Sequence, residues 1–272
     1  MYRGSRANSP FFFLSLFSAL IFAFLVHAGG LLVGPPDGPQ RYQPHFYPFD
    51  GGENIKYQAS WFGIPVASAE IRADPKFIDG KKFYHVQIQT RTLKYLDPIW
   101  KMRDSIESVF EAETLQTRRF VFRQRENRKR IETTASFDPR GQKWMVHREQ
   151  GAKVNDYEFV SHFTLDPVSA VYLARSLDFK IGDTLRLDVF GGKSRYLIVL
   201  DIIGQERITL KTVDFDAYKI VPRVFNLTPS GYAERVRQAT VWISADEKRR
   251  PLKIVSEVFI GSVNIELVEA KG

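Results

Sequence analysis

The sequence predicts a mainly β fold, a large antiparallel sheet or open half barrel of short strands with one enclosed α-helix. Three observations predict it. From Gly51 onward apolar residues alternate at period 2 through one run after another. Those runs are rich in β-branched and aromatic residues, and turn-forming Gly, Asp and Pro separate them at near-regular spacing. At 44% hydrophobic and 14% aromatic over 272 residues, the chain is excluded from the disordered, collagenous and disulfide-scaffold classes. No fixed period recurs, which sets aside solenoids and propellers.

The first element is an address. Met1 to Pro10 holds Arg3 and Arg6 and no acid, and Phe11 to Val26 runs for 16 residues with only Ser15 and Ser18 as polar interruptions. This is the layout of a secretory signal, and Val26-His27-Ala28 offers a cut after Ala28. A second reading keeps the segment as an uncleaved inner-membrane anchor, because extending it to Gly34 gives 24 residues, enough to span about 30 Å of hydrocarbon. Either way Arg3 and Arg6 stay cytoplasmic and the remainder is exported. With no Cys, a lipid-modified N-terminal cysteine is excluded, and a bacterial periplasm is the expected home. The net charge of +8 falls to 37 − 31 = +6 once Arg3 and Arg6 are removed. Residues 29–50, with four Gly and five Pro, read as an extended tether, and 51–272 as a single domain.

The strands follow in order. Ile55, Tyr57, Ala59 and Trp61 share one face of the first, closed by Gly63. Val66–Arg72 is the second, and Phe83–Thr92 follows the Asp79-Gly80 turn. Ser105–Glu111, Arg118–Gln124, Arg130–Phe137 and Gln142–Arg148 complete the first half. Asp166 and Pro167 then supply an N-cap and a proline at the first helical position, and Val168–Leu177 gives about three helical turns. Only Ser169, Arg175 and Ser176 are polar there, so the sheet is expected to enclose this helix. Arg175 must then find an acid, Asp104 or Asp183 being the expected partners, or stand as the one charge in an apolar cavity. Thr184–Phe190 and Ser194–Ile203 flank the Gly191-Gly192 connection. Arg207–Val213, Tyr218–Val221, Arg235–Ile243, Leu252–Phe259 and Val263–Val268 end the chain.

Several of these segments together resemble a known family. They are Gly52-Glu53 before Tyr57, Trp61-Phe62-Gly63 followed by Ala67-Ser68-Ala69, the Asp166 to Arg175 helix, Gly182-Asp183, and Val241 to Ser244 before Arg250-Pro251-Leu252. In order and spacing they resemble the bacterial exported domain of unknown function 3108 family over residues 51–268. The resemblance implies a mostly β envelope protein of Gram-negative bacteria and brings no catalytic or ligand residues with it.

Catalytic patterns are sparse. Without Cys there is no thiol nucleophile, and no Gly-x-Ser-x-Gly elbow or phosphate-binding glycine loop is present. Ser161 and His162 are sequence neighbours and point to opposite faces of a strand. His45, His85, His147 and His162 match no zinc spacing, so no metal and no cofactor is expected. Asp104, Glu107 and Glu111 are the acids from which a carboxylate-dependent glycan hydrolase would draw. The densest charge is Arg118 to Arg130, seven bases and one acid, which reads as a hairpin with its tip near Glu126-Asn127.

Three functions follow. The leading expectation is a non-enzymatic module binding a lipid or other hydrophobic ligand in a cavity lined by Tyr57, Trp61, Tyr172, Arg175 and Trp242. The second is an envelope scaffold docking onto an anionic component or partner through Arg119, Arg123, Arg125, Arg128, Lys129 and Arg130; export removes nucleic acid from the candidate partners. The hydrolase is the third.

Overall fold

Alternation at period 2 becomes fourteen antiparallel strands among the described residues of the computed structural model, which are 37–227, 239–258 and 260–272. The segment read as a signal, the start of the tether, residues 235–238 of one expected strand and Phe259 at the end of another lie outside them. The strands are β1 (Glu53–Trp61), β2 (Ile64–Ile78), β3 (Lys81–Thr92), β4 (Arg103–Glu111), β5 (Thr117–Glu126), β6 (Lys129–Asp138) and β7 (Lys143–Gln150). After β8 (Lys153–Val160) and helix α1 (Pro167–Arg175) come β9 (Thr184–Phe190), β10 (Arg195–Leu210), β11 (Val213–Asn226), β12 (Ala239–Ser244), β13 (Pro251–Glu257) and β14 (Ser262–Lys271).

They form one sheet in the order β8-β7-β6-β5-β4-β3-β2-β1-β14-β13-β12-β11-β10-β9. Neighbours are antiparallel and almost all consecutive, so the connections alternate between two rims. The β2–β3, β4–β5 and β12–β13 turns share one, called here the entry rim; the β1–β2, β3–β4, β5–β6 and β13–β14 connections share the far rim.

The sheet curls until its two ends approach. Phe190 at the end of β9 lies 5.7 Å from the ring of Trp144 and 5.3 Å from that of Phe159, on β7 and β8. One parallel bridge, Leu165 to Val189, ties β9 to the segment that leads from β8 into the helix. Gly192, held at φ +86°, brings the β9–β10 turn against the rings of Phe120 and Phe122. Tyr196 to Leu200 of β10 are consequently buried on both faces, whereas β4 alternates strictly between buried and half-buried.

Inside the curl sits α1. Asp166 caps it by accepting from the Val168 and Ser169 amides, and the Ser169 hydroxyl accepts from the Asp166 amide in return. The Asp166 carboxylate also accepts from Ser108 on β4 and Thr117 on β5, each at 2.7 Å, which ties the helix start to the sheet. Burial pushes this carboxyl above its ordinary value despite those four bonds. Eight of the nine helical residues are buried, as an all-round apolar helix requires.

Three expectations change. β8 went unseen because it is an edge strand exposed along nearly its whole length, so it lacks alternation. The two runs expected around Gly204 are one strand, β10, continuing through a register shift between Ile202 and Gly204. The β5–β6 tip is Asn127-Arg128, with Asn127 in the left-handed region that Asn tolerates.

Candidate functional site

The tether segment 37–50 is irregular, and its described residues lie along the body. The Gln40 amide donates to the Arg186 carbonyl, the His45 amide to that of Ser176, and the Tyr47 hydroxyl to that of Glu113. Phe49 is buried edge-on to Tyr172 at 4.5 Å and to Tyr84 at 5.0 Å. It closes the entry rim over the end of α1.

Under Phe49 lies a deeply buried charged cluster. Arg175, 1% exposed, grips Glu53 with two nitrogens at 2.6 and 2.9 Å and donates to the Lys248 and Arg249 carbonyls. Tyr172 donates to the same carboxylate at 2.6 Å. The guanidinium also rests on the Phe49 and Tyr172 rings, 5.4 and 5.0 Å from their centroids. Burial alone would raise the Glu53 carboxyl; the charge and hydrogen bonds of Arg175 outweigh it and hold the group below its ordinary value. The partner of Arg175 is therefore Glu53. Of the two acids expected instead, Asp104 accepts from the Arg125 amide and Asp183 from that of Lys180.

The five residues expected to line one cavity separate. Tyr57, Tyr172 and Arg175 come together in this cluster, where the Tyr57 hydroxyl donates to the Pro251 carbonyl and burial raises its pKa. Trp61 stands at the opposite rim, its indole N–H donating to the Ile260 carbonyl at 2.9 Å. Trp242 is half-buried, with its indole N–H on Glu206. Among the described residues, two clefts open at the entry rim on either side of Tyr47. One, ≈ 770 Å³, is lined by Asp50, Lys81, Lys82, Tyr84 and Glu111; the other, ≈ 550 Å³, by Phe46, Pro48 and Asp246 to Arg249. A recess of ≈ 20 Å³ beside Leu173 and Leu187 has room for a water.

The basic hairpin splits in two. Along β5 Arg123 is bound to Glu107 and Glu132, and Arg118 to Glu111, so those cations are neutralised in place. Arg119 and Arg125 face solvent from the strand, and Arg128, Lys129 and Arg130 are exposed around the tip. The Arg130 guanidinium donates to the Asn127 and Lys129 carbonyls, and Lys129 lies 3.6 Å from Glu126. Asp104 faces inward while Glu107 and Glu111 sit four residues apart on one strand, roughly 14 Å at strand rise, beyond the span over which two glycosidase carboxylates cooperate. Among the described residues no group of three His, Cys, Asp or Glu side chains is placed to hold a metal.

Sequence reasoning missed Glu53, although Gly52-Glu53 stands in the family pattern. It also missed the far-rim residues Phe62, Ile64, Tyr95 and Ile99, all exposed. Isolated apolar residues between strands carry no periodic signal.

No curated protein matches the chain. Among solved structures, a β-barrel-like protein of domain of unknown function DUF1849 from Brucella abortus is similar at 10% identity and a TM-score of 0.51, over 81% of this chain and 97% of that one. A putative lipoprotein from Parabacteroides distasonis aligns over 85% and 100% of the two chains at 8% identity and a TM-score of 0.34. The first likeness shows the fold. A model of the family described as protein of unknown function DUF3108 matches residues 56–268, and the chain belongs to that family.

Proposed function

We propose that this protein is an exported, non-enzymatic interaction module of the cell envelope that engages its partner with the far rim of its sheet. The observation that carries the reading is a division of labour in the fold. The interior is taken by α1 and the doubly buried half of β10, while the far rim presents the exposed basic turn Arg128 to Arg130. A charged turn at the end of a rigid sheet is a contact surface that docks without disturbing the core. This favours docking over a carrier with an internal ligand, because Tyr172 and Arg175 bond to Glu53 and Tyr57 to the Pro251 carbonyl rather than facing a common void. The acids Glu107 and Glu111 are each held by an arginine, which weighs against hydrolysis.

A photo-reactive amino acid at position 128, activated in living cells, tests this. Adducts are expected there and not at Lys211, an exposed turn residue on the opposite rim. Equal labelling at both positions, or none at 128, refutes the reading.

A further inference from the structure

The far rim carries more than charge. Phe62 and Ile64 at the β1–β2 turn, Tyr95 and Ile99 in the β3–β4 connection, and Ile260 at the β13–β14 turn are all exposed, Phe62 by 63% and Ile99 by 64%. They form a connected row. The Phe62 ring lies across Gly261, where an added Cβ would come within 2.7 Å of it, and the Trp61 indole is tied to Ile260. The Tyr95 hydroxyl donates to the Pro65 carbonyl, and the Leu93 amide to that of Val66. At the far end of the same connection, the Lys101 amide donates to the Asn127 side chain at 2.8 Å and the Asn127 amide to the Lys101 carbonyl at 2.7 Å. The apolar row thus runs directly into the basic β5–β6 turn. Exposed Lys94 and Lys101 lie along it, and Asp97, the acid of that connection, is neutralised by Arg103 at 2.7 Å.

Phe62 gives this rim its meaning. With Phe62 at φ +50° and Gly63 at φ +77°, the two-residue turn is of the mirror-image type that favours Asn or Gly at its first central position. A bulky aromatic there is disfavoured by the backbone, and with 63% of the residue exposed its packing compensates only in part. Leu115, the other large apolar residue in the left-handed region, is fully buried. The remaining non-glycine positions of this kind carry polar or charged side chains suited to turns or, in Arg249, stacked on rings. The Phe62 ring touches Trp61 at 5.1 Å and covers Gly261, yet most of it remains in solvent.

We infer that the far rim docks on an anionic phospholipid bilayer, inserting Phe62, Ile64 and Ile99 at the level of the headgroups while Lys94, Lys101 and Arg128 to Arg130 rest on lipid phosphates. This rests on the interaction reading and names its partner. The apolar residues project from turn tips instead of lining a groove, so the shape suits a deformable surface and offers no pocket to a peptide. A half-buried Trp61 behind them, its indole N–H satisfied, matches the interfacial preference of that side chain. Apolar insertion flanked by cations is how a folded domain binds an anionic membrane reversibly.

A chain without Cys allows single-site labelling of the protein in the form the cell produces. An environment-sensitive fluorophore on Phe62→Cys is expected to shift to the blue with phosphatidylglycerol-containing vesicles, to be quenched by brominated acyl chains, and to respond far less to phosphatidylcholine. The same label on Lys211→Cys is expected to remain in water. Phe62→Asn combined with Ile64→Ser should weaken binding at least tenfold, by the apolar area withdrawn. Because Asn suits the left-handed turn, Phe62→Asn alone should melt no lower than the parent, which separates lost binding from lost folding. A label at 62 that stays in water on anionic vesicles overturns the inference. If position 128 still cross-links to a protein in cells, the interaction reading stands and the bilayer is replaced by that partner; if position 128 yields no adduct, both fall.

Discussion

Replacing Glu53 with Gln removes one charge from a buried pair and almost nothing else. Arg175 keeps two carbonyl acceptors, the faces of Phe49 and Tyr172, and one amide oxygen in place of two carboxylate oxygens. Removing one member of a buried ion pair costs about 3–5 kcal/mol, because the survivor is left charged and desolvated. The retained amide acceptor returns about 1 kcal/mol, for a net loss of about 2–4 kcal/mol. In urea, with a slope of about 2–3 kcal/mol per molar, the midpoint should fall by roughly 1 M. Arg175→Met should cost less under acid, because the stranded Glu53 carboxyl can protonate while still accepting from Tyr172. The double variant should be more stable than the sum of the single losses by over about 1 kcal/mol. The pH dependence has a definite sign. Glu53 is held below its ordinary value, so its contribution is present above the usual carboxylate range and is lost as pH falls through the depressed folded value. Glu53→Gln should blunt that acid limb. A loss under about 1 kcal/mol for Glu53→Gln, or additive single losses, would refute the assignment of this pair as the lock between helix and sheet.

Two other groups give sharp readouts. Asp166→Ala should destabilise by about 2–4 kcal/mol in the same denaturation assay, since it removes the helix cap and strands the Ser108 and Thr117 hydroxyls in the core; Asp166→Asn, which keeps an acceptor, should cost less. By NMR titration His147, bonded to Glu149 and Asp156, should titrate above the ordinary histidine value, and His85, desolvated and near Lys76, below it. The His147 pairing therefore stabilises below about pH 6.5 and fades as pH rises through its raised value, while His85 withdraws stability as pH falls from about 6.5 toward its lowered one. Both histidines moving the same way would contradict the placement of one among carboxylates and the other in a desolvated strand.

The strand content was legible because inner-facing apolar and outer-facing polar residues alternate through much of β1 to β7, most regularly in β1, where Asn54, Lys56 and Gln58 separate Ile55, Tyr57 and Ala59. β8 was not, since an edge strand with two solvated faces has no period to read. The helix was legible from Asp166-Pro167 and an apolar run, but its depth inside the curl is a consequence of the approach of β9 to β7 and β8, a contact between segments separated by the whole helix. Arg175 could be read as needing an acid, yet not which acid. Glu53 lies 122 residues away, and only the order of the sheet brings β1 beneath the end of α1. Tyr57 and Trp61 alternate on one strand and look equivalent in sequence. They part because four residues of strand rise separate them, so that the Tyr57 hydroxyl reaches the Pro251 carbonyl toward the entry rim and the Trp61 indole that of Ile260 at the far rim.

The filled interior weighs on energetic grounds against a carrier with an enclosed ligand site. A pocket for a drug-sized ligand occupies at least about 300 Å³. Left empty in a close-packed core, that volume would cost about 7 kcal/mol at roughly 24 cal/mol per Å³, which is comparable to the whole stability of an ordinary domain. A carrier with such a site would be stable only with its ligand resident, or with the pocket open to water. Among the described residues most core side chains form one cluster from Phe49 to Ile265, with a smaller one of Leu210, Ala217 and Leu252 beside it, and α1 with the first half of β10 stands where that ligand would lie. Native mass spectrometry of protein purified gently from the cells that produce it is therefore expected to show no added apolar molecule and, if the chain is exported and cut after Ala28, the mass of Gly29 to Gly272. A stoichiometric lipid surviving in that spectrum would overturn the docking reading, restore the carrier, and direct mutation to α1 and Arg175; a mass retaining the first 28 residues would convert the exported module into an anchored one.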